Sequence, residues 1–270
     1  MQVPRIELMG VRMDPLQMDQ AVAQLLAWTR TPGSRCRFVV TPNVDHVVLL
    51  QERKDLQAAY ADAALILADG APVVWASKLL GKPLPGRVPG SDLVPALFDE
   101  VPAYEPLKVY LLGALPGVAD RAAQQIHNRW PSVQVVGTYS PPLGFEKDEV
   151  ENDKILSQIA DANPDVLIVG LGAPKQELWV HANQTKIKAT VALCVGATID
   201  FLAGEKARAP MWMRKVGLEW LHRVATEPKR LAARYARDAW LFPRIVLKEW
   251  LNRGNTFRGR SVQTGLTTQR

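Results

Sequence analysis

Asp69 ends the apolar run AALILADG, and a second apolar run, APVVWASK, begins two residues later. A carboxylate at the mouth of a buried strand can accept a proton from an attacking hydroxyl, or it can simply cap the helix that follows. Other apolar runs end in comparable groups. VVTPN carries Thr41 and Asn43, while YLLGALPGVADRAA forms a glycine loop from Gly113 to Gly117 that opens a helix. VGLGAPKQE carries Gly170, Gly172, Lys175 and Gln176, and CVGATIDFLAG carries Gly196, Thr198 and Asp200. Taken singly, each has an ordinary structural reading; Gln176 and Glu177 suit the first turn of a helix. Taken together, two glycine loops that open helices offer backbone N–H groups to a diphosphate, with a carboxylate facing the same crevice.

Several familiar chemistries are missing. Gly113-x-x-x-Gly117 is neither a Walker loop nor a dinucleotide fingerprint, and no G-x-G-x-x-G follows a strand with an acidic residue about 20 positions on. No two aspartates stand two apart in the Asp-x-Asp arrangement that holds a divalent cation in many sugar-nucleotide enzymes. His46, His127, His181 and His222 lack ligand spacing, and no G-x-S-x-G elbow occurs. The expectation is a site with no metal and no cofactor.

Six strand-like runs must position these groups: RFVVTPN, AALILADG, LKVYLLGA, VQVVGTY, DVLIVGLG and TVALCVGA. They alternate with helix-like segments at 43–60, 117–129, 148–161 and 174–185, and they are apolar on both sides. This predicts an α/β fold, a Rossmann-like parallel sheet covered by helices on both faces. Ligands in such sheets bind beyond the carboxyl ends of the strands, where the candidate groups lie. Pro and Gly crowd residues 81–90, GKPLPGRVPG, marking a possible subdivision of the core near 81–106.

The chain has 270 residues, 47% hydrophobic and 22% charged, which excludes disorder and collagen-like or disulfide-rich classes. Cys36 and Cys194 read as buried reduced thiols. No apolar run reaches the roughly 18 residues of a membrane span, and MQVPRIELMGVRMDP lacks a signal core, so the expected location is the cytoplasm. Charge is unevenly spread. Residues 205–260 hold 14 Lys/Arg against 5 Asp/Glu, whereas residues 1–204 hold 18 against 22. Four of the eight tryptophans, Trp212, Trp220, Trp240 and Trp250, lie in that basic segment. The expected organisation is a core over 1–204, a helical basic and aromatic appendage over 205–253 broken by Pro228 and Pro243, and a flexible tail over 254–270. Such helices suit a membrane interface, with Trp at headgroup level and cations near anionic lipid.

The stretches TPNVDHVVLLQ, ADAALILADGAPVVWASKLLGKPLPGRVPGSDL, LLGALPGVADRAA, DVLIVGLGAPKQE, GATIDFLAGEKARAP and GLEWLHRVATEPKRLAARY occur in this order between about residue 6 and residue 250. They resemble the WecG/TagA/CpsF family of bacterial glycosyltransferases. The resemblance implies an inverting, metal-independent transfer from a UDP-sugar to a sugar on a polyprenyl diphosphate, in exopolysaccharide or cell-wall polymer biosynthesis. It implies Asp69 as the general base, Thr41 and Asn43 at the sugar or acceptor, and Gln176 near the nucleotide sugar. It also implies an appendage bound at the inner face of the cytoplasmic membrane, bringing Arg223, Arg230 and Arg234 over the diphosphate. Arg87 of GRVPG and the helix N-termini after Gly113 and Gly172 are the further groups available to stabilise the leaving UDP.

The donor reading is a neutral hexose, because no second cation cluster faces a donor carboxylate. UDP-N-acetylmannosamine or its uronic acid is the alternative. A basic nucleic-acid-binding protein would account for a pI of 9.4 but leaves Asp69 without a purpose, and no recognition motif supports it, so nucleic acid is not expected as a partner. A Rossmann-like oxidoreductase is a third reading. Cyclic assembly and a monomer on the membrane both fit the sequence.

Overall fold

The structure is a computed structural model that describes residues 4–31, 33–215 and 217–260, with the side chains of Lys215, Arg230 and 253–260 outside the described set. The chain opens with a hairpin, β1 (Ile6–Leu8) and β2 (Val11–Met13). Its two-residue turn has positive φ at both Met9 and Gly10, the geometry that matches the twist of paired strands. After α1 (Met18–Thr29) come β3 (Arg37–Val40), α2 (Val44–Leu50), α3 (Lys54–Asp62), β4 (Leu65–Ile66), α4 (Ala71–Leu79) and α5 (Gly90–Asp99). The second half of the core runs β5 (Leu107–Gly113), α6 (Val118–Arg129), β6 (Val133–Tyr139), α7 (Glu149–Ala162), β7 (Val166–Gly170), α8 (Lys175–Asn183), β8 (Val191–Cys194) and α9 (Thr198–Leu202). Three helices follow: α10 (Met211–Lys215), α11 (Glu219–Thr226) and α12 (Pro228–Arg260).

All six expected strands form one parallel sheet in the order β4-β3-β8-β7-β5-β6. Its apolar residues divide by alternation. Phe38, Val40, Leu167, Val169, Ala192 and Cys194 enter one core cluster, and Val39, Val166, Ile168, Val191 and Leu193 enter the other. Both faces are therefore buried, which is why the strands read as continuous apolar runs rather than alternating ones. Cys36 and Cys194 are buried free thiols, and burial pushes Cys36 up to about 12.

Two local expectations need correction. The helical run over 43–60 is two helices, because Arg53 turns extended (φ −95°, ψ 100°) to start α3. Gln51, at the break, donates its side-chain amide to the Met9 carbonyl at 2.9 Å and the Val47 carbonyl at 3.0 Å. Pro243 does not break the last helix; it lies inside α12, whose first residue is Pro228. A mid-helix proline removes one donor and is tolerated where packing holds the helix on both sides of it.

Packing does hold α12. Phe242 and Val246 are buried in the same cluster as Phe38 and Val40, so the last helix completes the core on one face of the sheet. Further along, Glu249 accepts from the Met9 backbone N–H and meets Lys82 Nζ at 3.2 Å, which fastens α12 to the hairpin turn. The backbone of α12 continues helical through Arg260, beyond the residue 253 boundary expected from composition, and residues 261–270 of the expected tail lie outside the described residues.

Candidate active site at the edge of the sheet

A cavity of about 340 Å³ lies beyond the carboxyl end of β4. Asp69 enters it because β4 leads straight into Asp69-Gly70, held by the Asp69 N–H on the Pro42 carbonyl (2.8 Å) and the Val88 N–H on the Ala68 carbonyl (2.7 Å). Pro72 and the following apolar residues start α4 immediately after. Asp69 does not cap that helix: the N-cap is Gly70, with no side-chain cap bond. Its carboxylate is partly exposed into the cavity and makes no hydrogen bond or ion pair among the described residues.

Burial, helped by the neighbouring charge of Glu219, raises the Asp69 carboxyl from its ordinary 3.8 to about 6 against the opposing pull of Arg223, His46 and Arg87. Such a carboxylate is ionised at neutral pH yet more basic than an exposed aspartate, which suits a general base.

The polar wall around it draws on distant parts of the chain: Asn43 and Asp45 from the start of α2, Arg87 from the loop before α5, Glu219 and Arg223 from α11, and Arg234 from α12. Trp75, Phe201, Trp220, Tyr235 and Phe242 form the apolar side. Trp220 and Tyr235 stack at 6.1 Å between ring centres, tying α11 to α12.

Arg87 is a structural crosslink as well as a cavity cation. Its Nη2 donates to the Arg214 carbonyl at 2.9 Å, and its Nη1 lies 3.7 Å from Asp92 and 3.9 Å from Glu219. Asp92 also receives Arg208 at 2.6 Å and Arg214 at 3.3 Å. Arg234 reaches Asp45 at 3.5 Å, and Arg237 reaches the other oxygen of the same carboxylate at 2.5 Å. Four ionic contacts, Arg87–Glu219, Arg214–Asp92, Arg234–Asp45 and Arg237–Asp45, thus seat the terminal helices against the core beside Asp69.

Asp69, Asn43, Arg87, Arg223 and Arg234, expected as site residues, meet in this cavity. The remainder lie elsewhere. Thr41 is buried behind the wall, donating to the Cys194 carbonyl at 3.4 Å. Gln176 is 3% exposed, and both ends of its amide are engaged within the protein: Nε2 donates to Glu177 at 2.7 Å and Oε1 accepts from the Gly196 N–H at 3.1 Å. Lys175 pairs with Glu146 at 3.3 Å and borders a separate groove along α7 and α8. Arg230 carries a side chain outside the described residues.

Gly113, Gly117, Gly170 and Gly172 sit at the ends of β5 and β7. Gly113 has φ +121°, and a Cβ there would come 2.5 Å from the Gly170 carbonyl oxygen, while a Cβ on Gly170 would come 2.8 Å from the Gly196 carbonyl oxygen, so close approaches between successive strand ends dictate both glycines. From β4 to β7 is three strand spacings, roughly 14 Å. A donor whose sugar reaches Asp69 from those loops must cross the ends of β3 and β8.

Sequence reasoning missed Asp45, His46, Glu177, Glu219 and Tyr235. The Asn43-x-x-His46 spacing of a helix cap was a legible signal for two of the contacts at α2. Nothing local marks Glu219, whose role follows from where α11 docks. Among the described residues, no group of three or more His, Cys, Asp or Glu could hold a metal ion.

The fold and site are those of a parallel α/β sheet with, beyond its strand ends, three arginines and a partly buried carboxylate that is unpaired among the described residues. The chain belongs to the glycosyl transferase WecG/TagA/CpsF family, whose sequence model matches residues 6–256, and it is a glycosyltransferase. It is similar to N-acetylglucosaminyldiphosphoundecaprenol N-acetyl-beta-D-mannosaminyltransferase of Staphylococcus aureus strains NCTC 8325 / PS 47 and COL, 30% identical over 227 residues covering 84% of this chain and 87% of each relative. The protein of the same name from strain MRSA252 is 29% identical over the same span.

Proposed function

We propose that this glycosyltransferase moves a sugar from a UDP-sugar to a sugar carried on a polyprenyl diphosphate, with inversion, at a membrane surface. The carrying observation is the unpaired Asp69 carboxylate in one cavity with Arg87, Arg223 and Arg234. In the proposed step the acceptor hydroxyl oxygen bonds to the anomeric carbon, its proton passes to Asp69, and the bond from that carbon to the phosphate oxygen breaks. UDP leaves with the electron pair, and the cavity arginines stabilise the charge on its departing phosphate.

The staphylococcal relatives are named for transfer of N-acetylmannosamine to N-acetylglucosaminyl-diphosphoundecaprenol. That favours UDP-N-acetylmannosamine over the neutral hexose first expected, and an N-acetylglucosaminyl acceptor. Membrane association is supported by Trp212, Trp220, Trp240 and Trp250, which are 40–64% exposed on α10, α11 and α12 among basic residues. Among the described residues no helix is long and apolar enough to cross a membrane.

The test is a panel of UDP-N-acetylmannosamine, its uronic acid and UDP-glucose, with a short-chain polyprenyl-diphosphate-linked N-acetylglucosamine as acceptor. The expected result is turnover with UDP-N-acetylmannosamine. No turnover with any donor, together with oligonucleotide binding at moderate salt, would replace this reading with the nucleic-acid one.

A further inference from the structure

A chain of polar groups runs from the cavity wall at Asn43 into the buried interior. Asn43, which lines the cavity, caps α2. Its Oδ1 accepts from the Asp45 N–H at 3.0 Å and the His46 N–H at 3.4 Å, and the His46 ring returns the contact, with Nδ1 3.4 Å from the Asn43 backbone N–H and 3.0 Å from the same Oδ1. Two backbone donors on one oxygen fix which end of the amide faces the helix, and leave the NH2 group as the end free to turn to the cavity that Asn43 lines.

His46 continues the chain on its other side, with Nε2 3.3 Å from Glu177 Oε1. Glu177 is 0% exposed, shares that oxygen with Gln176 Nε2, and has no partner for Oε2. A carboxyl group so deeply buried demands a polar partner, and the His46 ring is positioned to supply it. Burial opposes a charge on that ring, but the hydrogen bond to Glu177 and the charges of Glu177, Asp45 and Asp69 outweigh it and raise the His46 value. With Nδ1 against Asn43 and Nε2 against Glu177, the ring holds the two together. Gln176 then closes the chain on the Gly196 N–H. The ends of β3, β7 and β8 are thereby joined.

We propose that His46 and Glu177 are positioning residues for sugar transfer: as a buried pair they hold Asn43 so that its NH2 group donates to an oxygen of the bound sugar, a hydroxyl or an acetamide carbonyl. The proposal rests on the transfer reading above. It gives the buried Gln176-Glu177 pair a task that their distance from the cavity otherwise denies them.

The test compares wild type, Asn43→Ser, Glu177→Gln and the double variant in the transfer assay, with melting temperatures alongside. Serine keeps the helix cap but removes the inward amide, and glutamine keeps the volume but removes the charge. Each single variant is expected to raise KM for the same one of the two substrates by roughly tenfold while kcat stays within about threefold, the scale of one lost hydrogen bond. The double variant is expected to be no worse than Asn43→Ser, because Glu177 acts through Asn43. If Glu177→Gln fails to fold, His46→Gln takes its place in the cycle.

Additive losses, KM effects on different substrates, or full kinetics in folded Glu177→Gln would overturn the proposal while leaving wild-type transfer intact. A wild type inactive with every donor would remove the transfer reading, and this proposal with it.

Discussion

Arg237 of α12 donates to the Asp45 carboxylate at 2.5 Å, joining residues 192 positions apart. Asp45 is nearly buried, and Arg234 approaches its other oxygen at 3.5 Å, so one carboxylate at the start of α2 anchors the helix that walls the cavity. Asp45→Asn is expected to lower stability by about 1–2 kcal/mol and to cut transfer more steeply than that loss alone explains, since Arg234 loses its place beside Asp69. Thermal melts read with steady-state turnover check this. A double cycle with Arg237→Gln should return a coupling of about 1 kcal/mol.

The raised Asp69 carboxyl makes two pH predictions of opposite sense. As the base, it must be ionised, so kcat/KM is expected to fall roughly tenfold per pH unit below about 6. For stability, the folded value lies above the ordinary 3.8, so the protonated form is the one the fold favours. The group therefore costs nothing below about pH 4, and its penalty is fully present above about pH 6. Asp69→Asn is expected to be more stable than wild type by on the order of 2–3 kcal/mol at pH 8, with the gap closing at pH 4. Melting curves at the two pH values test this.

The sheet was legible because strands buried on both faces must be apolar throughout, and all six apolar runs became neighbours in it. The break between α2 and α3 was not, since it depends on Gln51 meeting the Met9 carbonyl on the hairpin. Within the site, Asp69 was legible from its position after a strand, and Arg87, Arg223 and Arg234 through a family likeness rather than from local pattern. Gln176 reads locally as a first-turn helix residue, and only the family likeness places it near a nucleotide sugar. Its amide ties Glu177 to Gly196, a contact across 20 residues that no local spacing encodes.

Gly217 lets the link between α10 and α11 lie against the start of α4. It has φ +78°, and a Cβ there would fall 2.3 Å from Ala71 Cβ and 3.3 Å from the Trp75 ring. Gly217→Ala is expected to lift this link away from Ala71, two residues after Asp69. A loss of about 1–3 kcal/mol in melting and a turnover loss of roughly tenfold or more should accompany it. A variant with unchanged melting and turnover would show that the link has room to adjust.

Trp212 and Trp240 are 63% and 64% exposed, so replacing both with Ser removes little core packing. Binding to liposomes containing anionic lipid is expected to weaken by roughly tenfold or more, with melting unchanged. Sedimentation with liposomes measures it, and undiminished binding would move the membrane contact to another surface.

The central claim is that Asp69 takes the acceptor's proton, and the most direct measurement is single-turnover transfer by Asp69→Asn set beside its affinity for the donor. Loss of roughly 10²–10⁴ in the transfer rate, with donor affinity near that of wild type, is the predicted result. Transfer at close to the wild-type rate by this variant would contradict it.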